Sequence, residues 1–186
     1  AMGDGALGLW AALDEVFPTT EHQRCWNHRV LNVQAKLPKR LQPEARHKLH
    51  EMAYAETQGA CEELRDRYVA DLRTADQRSA AETVLRDWEE FVTFYHYPTE
   101  HWTHLRTTNP LESIFGGVRL RTDAAKRLRR RDNALYLVFK IVERLSGRWH
   151  ALNGGANLMA LVLAGCAFKD GLLQRRDARQ LATAAA

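Results

Sequence analysis

Apolar residues recur at helical spacing over most of this chain, and two-residue alternation appears in one place only. Leu9, Trp10, Leu13, Val16 and Phe17 lie on one face of a predicted helix that Pro18 ends. Thr19 to Trp26 is the best strand candidate, because it follows a proline and His22, Arg24 and Trp26 alternate with Gln23 and Cys25. Val30, Leu31, Val33 and Leu37 return to the helical period up to Pro38. From Pro43 to about Tyr97 the pattern is helical with no convincing strand. Leu49, Met52, Ala53 and Ala60 mark one apolar face, and Leu64, Tyr68 and Leu72 a second. Val84, Leu85, Trp88, Phe91, Val92 and Tyr95 form a third, closed by Pro98. Glu62, Glu63, Glu89 and Glu90 fall between these positions, which makes them a solvated face and places the lobe's Trp and Tyr rings in its core. Leu135, Leu137, Val138, Ile141, Val142 and Leu145 predict another amphipathic helix, ending near Gly147. Asn153-Gly154-Gly155 reads as a turn. The run Leu158 to Phe168 reads as a buried helix, too short for a bilayer, which needs about 20 residues.

With 186 residues, 45% hydrophobic and 27% charged, the chain can bury one sizeable core, or one core with an appended helical lobe. Cys25, Cys61 and Cys166 are odd in number and far apart, so no disulfide framework is implied and a reducing, cytoplasmic setting is expected. No signal peptide is evident at the first residues. Charge changes the picture more than composition does. Residues 51–100 carry 12 acids and 5 bases, a net of −7, whereas residues 101–150 carry 4 acids and 11 bases, a net of +7. An acidic lobe beside a basic one points to a single basic docking face rather than a uniform cationic coat.

That basic face surrounds the stretch Thr107 to Thr122, TTNPLESIFGGVRLRT, followed by the run KRLRRR from Lys126 to Arg131. A carboxylate at the first turn of a helix, with arginines two turns on, can hold a divalent cation while the cations hold a polyanion. The same residues also make a good helix start, with Asn109 as N-cap, Pro110 at N1 and Glu112 at N3. Spacing leaves both readings open. Asp4 of Asp4-Gly5 sits just upstream of the first helix and reads equally as a turn aspartate. Cys25-x-x-His28 is half of a zinc site with no second pair at ligand spacing, so a buried Cys with a hydrogen-bonded His competes with it. His101 and His104 could bind metal or phosphate, but in a polar connector they read as surface residues.

GDGALGLWAALDEVFP, QRCWNHR, NVQAKLPK, FYHYPTEHWTHLRTTNPLES, VRLRT and VFK, in this order, resemble the Mutator-type transposases of bacterial insertion sequences. The resemblance runs from about residue 3 to residue 171. It implies a mainly α chain: the C-terminal part of a ribonuclease-H-like α/β domain with few short strands and an all-helical insertion. The corresponding parts would be a partial core over 1–39, the insertion over 40–98, the catalytic Glu helix and basic segment over 99–150, and a C-terminal helix and tail over 151–186. It also implies an Asp-Asp-Glu triad whose second Asp is Asp4 and whose Glu is Glu112, holding Mg²⁺ or Mn²⁺. Cys25 and His28 would form the signature near that site, with Asn109 in the Asn-Pro-Leu-Glu-Ser motif and His28 touching a ligand or the scissile phosphate. Arg119, Arg121, Lys126, Arg127, Arg129, Arg130 and Arg131 would hold the DNA backbone at element ends and targets, with Arg106 a weaker candidate. The first Asp and the N-terminal half would lie outside this chain, leaving it inactive alone. The implied protein is a homo-oligomer at the bacterial nucleoid, without a membrane anchor. Arg29 stands where many relatives have Lys, and Ala124-Ala125 with Arg127 to Arg131 departs from the small-residue pattern expected there. A noncatalytic helical module for DNA binding or dimerisation is the competing function, and a helical protein-interaction domain is a third.

Overall fold

The computed structural model describes residues 1–125, 127 and 130–174. They divide into two compact units, one of Ala1–Thr107 with the segment from Asn153 onward, the other Thr108–Leu152. The chain is mainly helical. The first unit opens with a short crossover: strand β1 (Met2–Gly3), helix α1 (Leu7–Val16) and strand β2 (Gln23–Arg24). β1 and β2 pair in parallel, Met2 opposite Gln23 and Gly3 opposite Arg24, and a helical connection is what joins parallel neighbours. The strand expected over Thr19 to Trp26 is therefore only two residues long. Trp26 already opens helix α2 (Trp26–Gln34), because its N–H donates to the Arg106 carbonyl at 2.9 Å instead of to a strand.

The outer edge of β2 is satisfied by side chains. The Thr93 hydroxyl donates to the His22 carbonyl at 2.7 Å. Gln23, only 3% exposed, donates through Nε2 to the carbonyls of Arg24 (2.8 Å) and Phe91 (3.2 Å) and accepts the Phe94 N–H through Oε1 at 2.7 Å. The Trp26 indole N–H reaches the same Phe91 carbonyl at 3.0 Å. One stretch of the helical lobe thus fixes the strand pair.

That lobe comprises α3 (Gln42–Ala53), α4 (Gln58–Thr74), α5 (Arg78–Leu85), α6 (Glu89–Val92) and the 3₁₀ turn Thr93–His96, leading to α7 (Trp102–Leu105). Leu49, Met52, Cys61, Val84, Phe94 and Tyr95 are completely buried in its core. Two faces expected to be continuous are broken. Ala53 and Ala60 belong to different helices, because the Thr57 hydroxyl caps α4 by accepting the Ala60 N–H at 3.1 Å. The Val84 to Tyr95 face is interrupted at Asp87, whose φ of +51° is a left-handed conformation that Asp tolerates. The expected helix over Leu158 to Phe168 is also corrected. Helix α10 (Gly155–Leu163) contains no buried residue, and Phe168 belongs to strand β3 (Phe168–Lys169) of a hairpin with β4 (Leu172–Leu173). Asp170 and Gly171 both have positive φ, as a tight hairpin turn requires. The turn docks on the lobe, with Asp170 Oδ1 accepting the Gln58 N–H at 2.7 Å and the Gly171 N–H donating to the Tyr95 carbonyl at 3.2 Å.

The second unit is built from α8 (Asn109–Ala124) and α9 (Arg131–Ser146), packed so closely that a Cβ on Gly117 would lie 3.0 Å from Leu145 Cδ1. Among the described residues no helix is long and apolar enough to cross a membrane. Gln23→Met keeps the volume and removes three hydrogen bonds, two of them buried. We expect it to lower unfolding stability in urea by about 2–3 kcal/mol, against about 1 kcal/mol for Thr93→Val.

Candidate active site and nucleic-acid interface

The carboxyl ends of two neighbouring parallel strands are where an α/β crossover gathers functional groups. Asp4 directly follows β1 and Cys25 directly follows β2, and the Cys25 N–H donates to the Gly3 carbonyl at 2.9 Å. Asp4 is exposed, and its Oδ1 accepts the Ala6 N–H at 3.0 Å, which fixes the carboxylate at the entry to α1. Gly5 has a φ of +97°, and the Arg24 guanidinium occupies the space a Cβ would need there. Arg24 is itself tied to the lobe through Asp87, with Glu90 at 3.9 Å. It backs the Asp4 turn and is neutralised there, a role that its place in an alternating strand pattern did not show. The Cys25 thiol is buried, and His28, half-buried, lies in the first turn of α2.

Several cations belong to the core instead of the surface. Arg29 is 4% exposed, donates to the carbonyls of Thr83 and Arg86, and lies 3.8 Å over the Phe91 ring. Burial lowers its pKa to about 10. A guanidinium fork suits two carbonyls better than an ammonium would. Arg106, the weaker backbone candidate, is half-buried: its guanidinium stacks over Tyr54, Phe94 and Trp102, and burial pulls its pKa down, so it packs against the fold. His101, expected on the surface, is 4% exposed. His104 is half-buried, and its Nε2 accepts the Asn153 N–H at 3.3 Å. Cys61, deep in the core beside Tyr95, has its thiol pushed up to about 12 by burial and stays protonated at neutral pH.

In the second unit the helix start is shifted by one residue. Thr108 is the N-cap and Asn109 the first helical residue, so Glu112 lies in the first turn at the fourth position. Thr108 Oγ1 donates to Glu112 Oε1 at 2.5 Å, holding the carboxylate of an otherwise exposed residue near the helix start. At about 100° per residue, Gly116 and Arg119 follow Glu112 on one face of α8, whereas Arg121 is turned to the opposite face. The two arginines grouped in the sequence therefore serve different surfaces. Arg121 faces α9, its Nη1 donating to the Gly117 carbonyl at 3.2 Å. Arg127, Arg130 and Arg131 are exposed, while Lys126 and Arg129 lie outside the described residues. Arg131 opens α9, where the helix dipole favours an acid. Helix stability thus does not account for these cations.

A protein-family model described as "Transposase, Mutator family" matches residues 1–151. The chain is similar to the transposase for insertion sequence element IS6120 of Mycolicibacterium smegmatis, 42% identical over 176 residues that cover 95% of this chain and 54% of the relative. It is also similar to the transposase for insertion sequence element IST2 of Acidithiobacillus ferrooxidans, 39% identical over 172 residues, 92% of this chain and 57% of the relative. A more distant relative is the transposase for ISRM5 of Rhizobium meliloti, 27% identical over 168 residues, 84% of this chain and 39% of the relative. The chain spans about half the length of the first two.

Gly5→Ala forces a left-handed alanine against Arg24. A loss of about 1–3 kcal/mol in thermal or urea unfolding is expected, because the backbone strain and the displaced guanidinium add. Gly116→Ala, with nothing within 4 Å of its added Cβ, should stabilise the chain by about 0.5–1 kcal/mol.

Proposed function

The chain belongs to the Mutator family of transposases, and on that premise we propose that its protein carries out metal-dependent cleavage and strand transfer at insertion-sequence ends. The observation that carries this reading is an exposed carboxylate, Asp4, held by a backbone N–H at the carboxyl end of a parallel strand pair. The β1–α1–β2 crossover is the piece of a ribonuclease-H-like sheet that such a site would use. Asp4 and Glu112 would be the residues that hold the divalent cations. Their oxygen donors suit Mg²⁺ or Mn²⁺, whereas the Cys25 thiol is too soft a ligand for Mg²⁺. Divalent cations held there would supply activation of the attacking oxygen and charge stabilisation of the leaving one. The third carboxylate comes from the part of the transposase that the relatives carry beyond this span.

The remaining residues position the polymer. His28, at the start of α2, orients a ligand or contacts the scissile phosphate. Arg119, on the Glu112 face of α8, and Arg127, Arg130 and Arg131 hold backbone phosphates, with Lys126 and Arg129 assigned the same role. Gly116, between Glu112 and Arg119, leaves that face low enough for a sugar-phosphate backbone to approach. Exposed Leu135, Tyr136 and Phe139 on α9 favour a second use of this chain, as an association face between copies.

With the chain supplied alongside the rest of the transposase, Mg²⁺ and element-end DNA, Asp4→Asn and Glu112→Gln should each reduce nicking on the order of 10³-fold. DNA affinity should stay unchanged or rise. Nicking by the 186-residue chain alone would refute the shared-carboxylate reading. Full cleavage by both carboxylate variants, with binding lost on Arg127, Arg130 and Arg131 substitution, would leave only a noncatalytic binding module.

A further inference from the structure

A groove in the second unit has a composition that the site around Glu112 does not explain. It is a cavity of about 320 Å³ lined by Arg121 from α8, by Lys140, Ile141, Arg144 and Leu145 from α9, and by Arg148 just beyond the helix end. Ile141 is buried and Leu145 half-buried, so the floor is apolar, while the four cations that form the walls are exposed. Lys140, Arg144 and Arg148 are four residues apart. They share one face and follow one another by about 6 Å along the axis where the chain is helical. Arg121 faces them across the groove.

Four like charges around one cavity repel each other, and little inside the protein offsets that repulsion. Lys140 meets Glu143 at 2.7 Å, but this is an exposed pair of the kind that exchanges readily for another anion. Among the described residues no carboxylate pairs with Arg121, Arg144 or Arg148. Arg144 and Arg148 do complement the negative end of the α9 dipole, but Lys140 lies more than a turn from that end and Arg121 is on another helix. Convergent guanidinium forks over an apolar floor match phosphate oxygens, and their long stems cover the floor while their heads stay wet.

We propose that this groove binds the phosphodiester backbone of a DNA segment other than the one presented to Glu112. Nine residues separate Glu112 from Arg121 on α8, half a revolution around the helix and about 13.5 Å along it. A backbone lying on the Glu112–Gly116–Arg119 face therefore cannot also lie in the groove without passing around the helix. The proposal rests on the DNA-transposition reading and gives the chain a second, sequence-independent hold on its substrate, suited to flanking or target duplex.

The test is fluorescence anisotropy of the 186-residue chain with duplex DNA across a salt series, comparing it with the triple variant Lys140→Gln, Arg144→Gln, Arg148→Gln. Loss of three phosphate contacts should weaken binding at least about tenfold at 0.1 M salt and reduce the slope of log K against log salt by about 3. Arg148→Gln alone lies outside the helix, leaves α9 intact and should reduce that slope by about 1. Arg144→Lys with Arg148→Lys should retain most of it, and Lys39→Gln with Arg40→Gln, on a 3₁₀ turn of the first unit and not part of the groove, should leave affinity unchanged. Wild-type affinity and slope in both the triple variant and Arg148→Gln would overturn the groove. Cleavage by the complemented Glu112→Gln protein bears on the catalytic reading alone, so either idea can fail while the other stands.

Discussion

Gln23 is the residue on which the arrangement of the first unit depends. Two strands of two residues each cannot hold themselves in place, and the polar groups along a buried strand edge must find partners. The carboxamide of Gln23 provides them, by joining the Arg24 and Phe91 carbonyls and the Phe94 N–H in one buried set of bonds. Thr93 and the Trp26 indole add two more links to the same stretch of the lobe. The short crossover is therefore anchored by the helical lobe, and the carboxyl ends of β1 and β2, with Asp4 and Cys25, take their positions from it.

The division of charge has a structural counterpart. Against the acidic lobe, the arginines of β2 and α2 are held internally: Arg24 by Asp87, Arg29 by two carbonyls and the Phe91 ring. Their charge is spent on holding the Asp4 turn and the lobe together. In the second unit the opposite holds. Arg119, Arg127, Arg130 and Arg131 are exposed, and Arg121 faces three more cations across a cavity. A net charge of only +4 conceals this contrast, because the acids that balance the sum lie in the other unit.

Much of this was legible in the sequence. The helical period located α1, α9 and an all-helical stretch over 43–97, and the buried rings of Tyr68, Trp88 and Tyr95 fell at core positions as their spacing required. What could not be read locally depended on distant partners. Asp87 breaks a continuous apolar face because Arg24, 63 residues earlier, draws it into a left-handed turn. The β3–β4 hairpin forms in an apolar run because its turn docks on Gln58 and Tyr95. Arg106 reads as a surface cation until three aromatic rings are seen beneath it. At the site, motif resemblance picked out Asp4, Cys25, His28 and Glu112, and the fold supplies the strand ends and helix turns on which they sit. Lys140, Arg144 and Arg148 are interspersed with apolar residues in α9 and just beyond it, and they meet Arg121 only when α9 packs against α8.

The proposed function requires Asp4 and Glu112, 108 positions apart, to serve one metal site in the assembled transposase. The most direct measurement is Mn²⁺ binding followed by electron paramagnetic resonance in that assembled protein and in its Asp4→Asn and Glu112→Gln forms. Either substitution is expected to weaken Mn²⁺ binding and to alter the spectrum of what remains bound. Wild-type Mn²⁺ affinity and an unchanged spectrum in both variants would contradict it.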